Sequence, residues 1–232
     1  MKLLDLRAEL ENDLSWRLDE LRHLRNLLLP TADQESWPVS SMRTLLVMQY
    51  AHLEGYVRNS ANIYVAFINS IQAAASDVRA ELVAAALLQE FEAVRKGGGV
   101  EAQEDGDENG VLLKRAKSQV AFVNKIRMIL ENPVEIDSGS AVSLDMNLSA
   151  DVLRRQLFVL GIPSERVERA QFSALEFVRR TRHDIAHGNR KERISTGEFQ
   201  AHTSQSERFM SDLARLITSA ARDGWYRSGD GA

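Results

Sequence analysis

The chain has 232 residues, a formal net charge of −4, 44% hydrophobic residues and 27% charged residues. This length is enough for one large domain with a well-formed core. A mildly acidic chain is not a general nucleic-acid-binding protein, because non-specific binding grows with the number of phosphates that Lys and Arg neutralise.

Two absences narrow the class of protein further. The sequence has no cysteine, which excludes disulfides and thiolate chemistry and favours a cytoplasmic location. It also lacks a run of about 18 apolar residues, the length that a membrane-spanning helix needs. Charged residues come too early at the start of the chain for a secretory signal. We therefore expect a cytoplasmic protein that does not enter a membrane.

The first half of the chain has the periodicity of helices. Leucines recur at steps of three and four residues from Leu3 to Leu28, which predicts a long amphipathic helix that ends before the prolines Pro30 and Pro38. A second helix is predicted over residues 41–71, and its apolar residues on more than one face make it the expected central helix. A third helix is predicted over residues 77–96, before a run of glycines.

The stretch after the third helix is rich in glycine and acidic residues. Residues 97–110 read GGGVEAQEDGDENG, which predicts an exposed, mobile loop. A phosphate-binding glycine loop would need a preceding strand and usually a following Lys-Ser/Thr pair. Neither is predicted here, so we do not expect a phosphate site in this loop.

The second half of the chain is also predicted to be helical. A fourth helix is predicted over residues 111–130, and a connector follows at 132–147. Ser149 is expected to cap a helix over 151–160, and Ser164 one that runs from 165 to about His187. A last helix is predicted over 204–222. The fold class is therefore all-α, an antiparallel helical bundle formed by a single domain over residues 1–232, with a frayed tail at about 227–232.

The helix predicted to end at His187 carries an arginine on its apolar face. On a helical wheel, Leu175, Val178 and Ile185 form a buried stripe, and Arg182 falls within it. A guanidinium on a core face is costly unless it is paired or faces a cleft. His187 lies five residues further on and reaches the same cleft edge only if the helix ends at Gly188.

An arginine and a histidine at one cleft edge suit the cleavage of RNA. The histidine can take the proton from a ribose 2′-hydroxyl, which then attacks the neighbouring phosphate, and the arginine can stabilise the charge of the transition state. This reaction requires no metal ion or other cofactor and gives a 2′,3′-cyclic phosphate. The alternative is that Arg182 is a buried structural residue and His187 only caps the helix.

Three further residues are candidates for supporting roles, each with a second interpretation. His183 contacts RNA or orients His187, or is only a polar neighbour. Asp184 sets the tautomer of His187, or is a solvated carboxylate, or forms a salt bridge with Arg180. Glu54 pairs with Arg182 across the bundle, or occupies an exposed helix position.

Positive charge is concentrated around the arginine and the histidine. Six Lys or Arg residues and two acidic residues lie within residues 179–193, and such a patch suits an anionic substrate. Its candidate phosphate contacts are Arg179, Arg190, Lys191 and Arg193, although a run of charges is also typical of a solvated face. His183 and His187 have the spacing of zinc ligands, but no third ligand is evident and we predict no metal site.

Three stretches of the chain resemble the HEPN superfamily. The segment Arg182-His183-Asp184-Ile185-Ala186-His187 matches its Arg-x(4–6)-His motif, with His183 where the family often has Asn. Residues 42–64 (MRTLLVMQYAHLEGYVRNSANIY) and 144–161 (LDMNLSADVLRRQLFVLG) resemble the early helix and the segment before the motif helix in a bacterial HEPN-like nuclease family.

The resemblance implies a helical fold, metal-independent RNA cleavage and often a homodimer in which two motifs face each other. A role as a toxin or in anti-phage or stress responses follows, with a neutralising antitoxin protein as a possible partner. The competing hypothesis is a non-catalytic helical module that binds a nucleotide or a protein.

Overall fold

A computed structural model of the chain describes residues 1–29, 37–98, 108–142, 147–188 and 194–229. These ranges contain α-helices, two 3₁₀ turns and two isolated β-bridges, but no β-strand. The predicted all-α fold is therefore confirmed. The helices are α1 (Leu3–Leu28), α2 (Val39–Ile71), α3 (Ala80–Ala86), α4 (Leu88–Gly98), α5 (Glu108–Glu131), α6 (Ser138–Ala141), α7 (Ala150–Val159), α8 (Arg169–Ala186) and α9 (Thr196–Arg222).

Four long helices form the centre of the fold. α1, α8 and α9 all pack against α2, and α9 also contacts α1 and α8. α2 is buried on several faces, with Tyr50, Leu53, Tyr56 and Tyr64 almost fully enclosed. This confirms that the helix with apolar residues on more than one face is the central one. No helix in the described ranges is long and apolar enough to cross a bilayer.

Two predicted helices are interrupted in the structure. The helix expected over 77–96 is a 3₁₀ turn at Ala75–Asp77 followed by α3 and α4, which meet at the buried Leu87. The helix expected to start at 165 begins with a 3₁₀ turn at Ser164–Arg166, and α8 starts only at Arg169. Glu168 and Gln171 form the capping box that starts α8, so the cap predicted at Ser164 was wrong.

The ends of the other helices differ from the prediction in smaller ways. α4 and α5 extend into the segment predicted as a loop at 97–110, and its remaining residues, 99–107, lie outside the described residues. α9 starts at Thr196, eight residues before the predicted position, where the Ser195 hydroxyl accepts a hydrogen bond from the Glu198 amide. Ser149 caps α7 as predicted, by accepting a hydrogen bond from the Val152 amide at 3.2 Å.

The start of the predicted frayed tail is fixed to the fold. The Ser228 amide donates to the Asp77 carbonyl at 2.9 Å, and Arg227 forms a β-bridge with Val78. Fraying from residue 227 was therefore wrong for these positions, because their backbone groups are paired. Residues 230–232 lie outside the described residues.

Candidate active site

The C-terminal end of α8 brings the motif to the surface. The last helical residue is Ala186, and His187 follows as the C-cap with φ −90° and ψ 3°. The His187 amide donates to the His183 carbonyl at 3.0 Å, and the Gly188 amide donates to the Ile185 carbonyl at 3.2 Å. The predicted end of the helix at Gly188 is confirmed.

Gly188 ends the helix through its backbone conformation. Its φ is +69°, in the left-handed region that side chains with a Cβ rarely adopt. A Cβ added at this position would meet no atom of the described residues within 4 Å. The glycine is therefore required for the turn itself and not to make room for another group.

Arg182 is half-buried between α8 and α2. Its guanidinium carbon lies 5.4 Å from the centre of the Tyr50 ring, within the range of a cation–π interaction. Among the described residues, no carboxylate oxygen lies within 4.0 Å of this guanidinium. The charge is thus partly desolvated and rests on an aromatic face, and no described residue brings a carboxylate close enough to neutralise it.

Glu54 does not form the ion pair with Arg182 that the sequence suggested. Its carboxylate pairs with Arg58, 3.1 Å away on the same helix. Burial and the nearby Glu54 charge raise the pKa of Tyr50 to about 12, although the Leu148 hydrogen bond and the Arg182 charge act to lower it. Tyr50 therefore lies between the two groups, and Glu54 acts on the tyrosine.

Tyr50 also connects α2 to the segment before α7. Its hydroxyl oxygen accepts a hydrogen bond from the buried Leu148 amide at 2.7 Å. Tyr50 belongs to the first of the two supporting stretches of the sequence, Leu148 belongs to the second, and Arg182 is in the motif itself. The three stretches that carry the resemblance thus meet at one tyrosine.

The two histidines of the motif lie beside each other on the surface. The rings of His183 and His187 have centroids 4.3 Å apart, at an angle of 49°, and both side chains are exposed. The contact between these rings follows from their spacing of four residues at a helix end. Within the described ranges, no group of three or more His, Cys, Asp or Glu side chains is arranged to hold a metal ion.

The remaining candidates are Asp184 and the basic residues of the motif region. Asp184 is half-buried and makes no ion pair with a described residue, and the Arg180 guanidinium instead lies 3.6 Å from Glu176. The suggested pair between Asp184 and Arg180 is therefore wrong. Arg190, Lys191 and Arg193 lie outside the described residues.

Arg179 has a structural contact that the sequence did not indicate. It donates two hydrogen bonds to one oxygen of Glu176, at 2.9 and 3.2 Å, while the other oxygen accepts from the Ala150 amide at 2.7 Å. Burial raises the pKa of Glu176, but the bonds from Arg179 and Ala150 outweigh it and hold that pKa below its usual value. Arg179 thus helps to join α8 to the start of α7.

Sequence reasoning missed Arg43. This half-buried residue lines an open hollow of about 370 Å³ together with Ser40, Thr44, Val47, Met48 and Ile185 of the motif. No described residue pairs with its guanidinium. Arg43, Val47, Tyr50 and Glu54 are spaced by four, three and four residues, so they share one face of α2, and this spacing could have indicated that Arg43 lies near the motif.

Comparison with known families agrees with the helical fold. A family model of the HEPN-like type, HEPN_MAE_28990, matches residues 6–225, nearly the whole chain. No curated protein and no solved structure gives a significant match. The match covers α2 to α9 completely and all but the first three residues of α1, so Tyr50, Arg182 and His187 all lie within it.

Proposed function

Because the chain belongs to the HEPN family, we propose that it is an RNA endonuclease, with Arg182 and His187 as the catalytic residues. The observation that supports this proposal most directly is the environment of the Arg182 side chain. It is half-buried, lies over Tyr50 and has no carboxylate within 4.0 Å among the described residues. A cation held in this way is suited to bind a phosphate.

In the proposed reaction, the RNA supplies its own nucleophile. The exposed His187 imidazole takes the proton of a ribose 2′-hydroxyl, and the 2′-oxygen forms a bond to the adjacent phosphorus. The bond from phosphorus to the 5′-oxygen breaks, and that oxygen leaves with a proton, for which His183 beside His187 is the candidate donor. Arg182 stabilises the negative charge of the pentacoordinate transition state. The products are a 2′,3′-cyclic phosphate and a 5′-hydroxyl.

Arg43 and the hollow beside Ile185 extend the proposed substrate site along α2. A guanidinium without an ion-pair partner can contact a phosphate that flanks the cleavage site, while Val47 and Met48 give the hollow an apolar wall. Arg190, Lys191 and Arg193 stay candidate phosphate contacts. Arg179 is less suited to this role because Glu176 already holds it.

The wider biological proposals follow from the family. We propose that the chain forms a single domain, pairs as a homodimer with two motifs facing each other, and acts in the cytoplasm as a toxin or in anti-phage or stress responses. A neutralising antitoxin protein would then be its partner. Sedimentation velocity tests the dimer, and a monomer with full cleavage activity would contradict it.

The test of catalysis compares two histidine variants. Purified wild type, His187→Ala and His23→Ala are incubated with total RNA in the presence of EDTA. His23 is an exposed residue of α1, so its loss controls for removing a surface imidazole. We expect wild type and His23→Ala to cleave and His187→Ala to be inactive. Cleavage that needs an added divalent metal would refute the proposed mechanism, and binding of RNA without cleavage by wild type would favour the non-catalytic module.

A further inference from the structure

One face of α5 is apolar and uncovered. Its residues recur at alternating steps of three and four: Leu113, Ala116, Val120, Val123, Arg127 and Leu130, which we call the outer seam. The exposed fractions are 57% for Leu113, 60% for Val120, 47% for Val123 and 69% for Leu130. This spacing is that of the residues that join two helices in a coiled coil.

The opposite face of α5 attaches it to the rest of the protein. Phe122 lies 5.2 Å from Phe91 of α4, measured between ring centres. Lys125 lies 3.7 Å from Glu90, also of α4, and Ile129 is buried. The outer seam is therefore a second apolar stripe that no described element of the chain packs against. An uncovered stripe about 26 Å long, at 1.5 Å per residue, is typical of an interaction surface.

The charges on the outer seam indicate what kind of helix can cover it. Arg127 lies within the seam, and the exposed Lys114 and Lys117 lie at its edge. None of the three makes an ion pair with a described residue. A helix that covers Arg127 must supply a carboxylate, because a buried guanidinium without a partner is strongly unfavourable.

A second copy of α5 does not meet this requirement. Parallel pairing of two outer seams would place Arg127 opposite Arg127. Antiparallel pairing about the midpoint between Val120 and Val123 would place Arg127 opposite Ala116 and beside Lys117 of the second copy. Both arrangements bring like charges together. The charge pattern therefore favours a different chain with acidic residues.

We infer that the outer seam binds an amphipathic helix of a partner protein, with leucine-type side chains against the seam and Asp or Glu beside Arg127 and Lys117. This surface lies on α5, whereas the proposed catalytic residues lie on α8. The inference therefore does not depend on the nuclease activity, and it can be tested by binding alone.

The test uses two labelled synthetic peptides of three heptads each, with Leu at every a and d position. One carries Glu at the flanking e and g positions and the other carries Lys. Fluorescence anisotropy with the full chain should show the acidic peptide binding at least about tenfold more tightly than the basic one. Arg127→Glu should reduce or reverse this preference.

A double variant tests whether the outer seam is the binding surface. The double variant Val120→Asp with Val123→Asp should not bind the acidic peptide. The circular dichroism spectrum of the variant protein should stay as helical as that of the wild type, because both positions are exposed. Leu4→Asp is the matched control, since Leu4 is 77% exposed on α1, and it should bind like wild type.

Several results would overturn the inference. Absence of acidic-peptide binding, or equal affinity for the two peptides, would show that the seam does not select an acidic helix. A dimer in sedimentation velocity that the double variant converts to monomer would assign the seam to a second copy. Binding to anionic lipid vesicles that the double variant loses, without peptide binding, would assign it to a membrane surface.

Discussion

Replacing Tyr50 with phenylalanine removes only the hydroxyl that joins α2 to the segment before α7. The Leu148 amide, which now donates to this hydroxyl at 2.7 Å, would be left buried without an acceptor. The ring would stay beneath Arg182, so the cation–π contact is retained. A buried donor that loses its partner costs about 1–3 kcal/mol, and each kcal/mol lowers Tm by about 2–4 °C for a chain of this size.

Tyr64 provides the matched control for this measurement. It also lies on α2 and is 0% exposed, against 2% for Tyr50, but its hydroxyl makes no hydrogen bond with any described residue. Calorimetry and urea unfolding should therefore show that Tyr50→Phe is destabilised and that Tyr64→Phe is neutral or slightly stabilised. Equal losses in both variants, or no loss in Tyr50→Phe, would refute the role assigned to this hydrogen bond.

Three other changes have expected outcomes. Gly188→Ala should lower the free energy of unfolding by about 1–2 kcal/mol, because the φ of Gly188 is +69°, and it should slow RNA cleavage. Gly197→Ala within α9 is the control and should leave stability unchanged or raise it. Thermal unfolding measures the change in stability, and cleavage rates measure the change in activity. Burial lowers the pKa of His202 despite the opposing Glu198 charge. As pH falls below about 6.5, His202 is therefore protonated more readily in the unfolded chain than in the folded one, and the stability of the fold should decrease. Urea unfolding at pH 7.5 and 5.5 should show that His202→Gln loses less stability between these two pH values than the wild type does. Arg43→Gln should weaken RNA binding in a filter assay more than Arg58→Gln, and equal effects would argue against a role for Arg43 in binding.

The sequence was sufficient to predict the helices whose periodicity is uninterrupted. Leucine spacing located α1, and the apolar residues on several faces of α2 identified the central helix. Gly188 marked the end of α8 because only a glycine readily adopts the left-handed backbone there. These features depend on local residue types, which a single sequence displays directly.

The interruptions and the exact partners of charged groups could not be predicted in this way. Nothing between Ala84 and Glu90 disfavours a helix, and yet α3 ends at Ala86 and α4 starts at Leu88. The sequence identified Arg182 as an unusual residue on an apolar face but suggested Glu54 as its partner. Which side chain contacts Arg182 depends on how α2 packs against α8, and in the structure this side chain is Tyr50.

Charge runs were the least informative signal. Arg179 was a candidate phosphate contact, but in the structure it forms a salt bridge with Glu176. Arg43, outside the basic run, proved to be the cation beside the motif without an ion-pair partner among the described residues. Proximity in sequence could not distinguish these two arginines, because their partners come from tertiary contacts.

The central claim is that Arg182 and His187 cleave RNA by attack of the 2′-hydroxyl. The most direct measurement is to map the ends of a defined RNA after incubation in EDTA with wild type, Arg182→Ala and, as a control, Arg22→Ala, an exposed arginine of α1. We predict 2′,3′-cyclic phosphate and 5′-hydroxyl ends with wild type and Arg22→Ala, and intact RNA with Arg182→Ala. Cleavage by Arg182→Ala at the wild-type rate, or 3′-hydroxyl and 5′-phosphate ends, would contradict the claim.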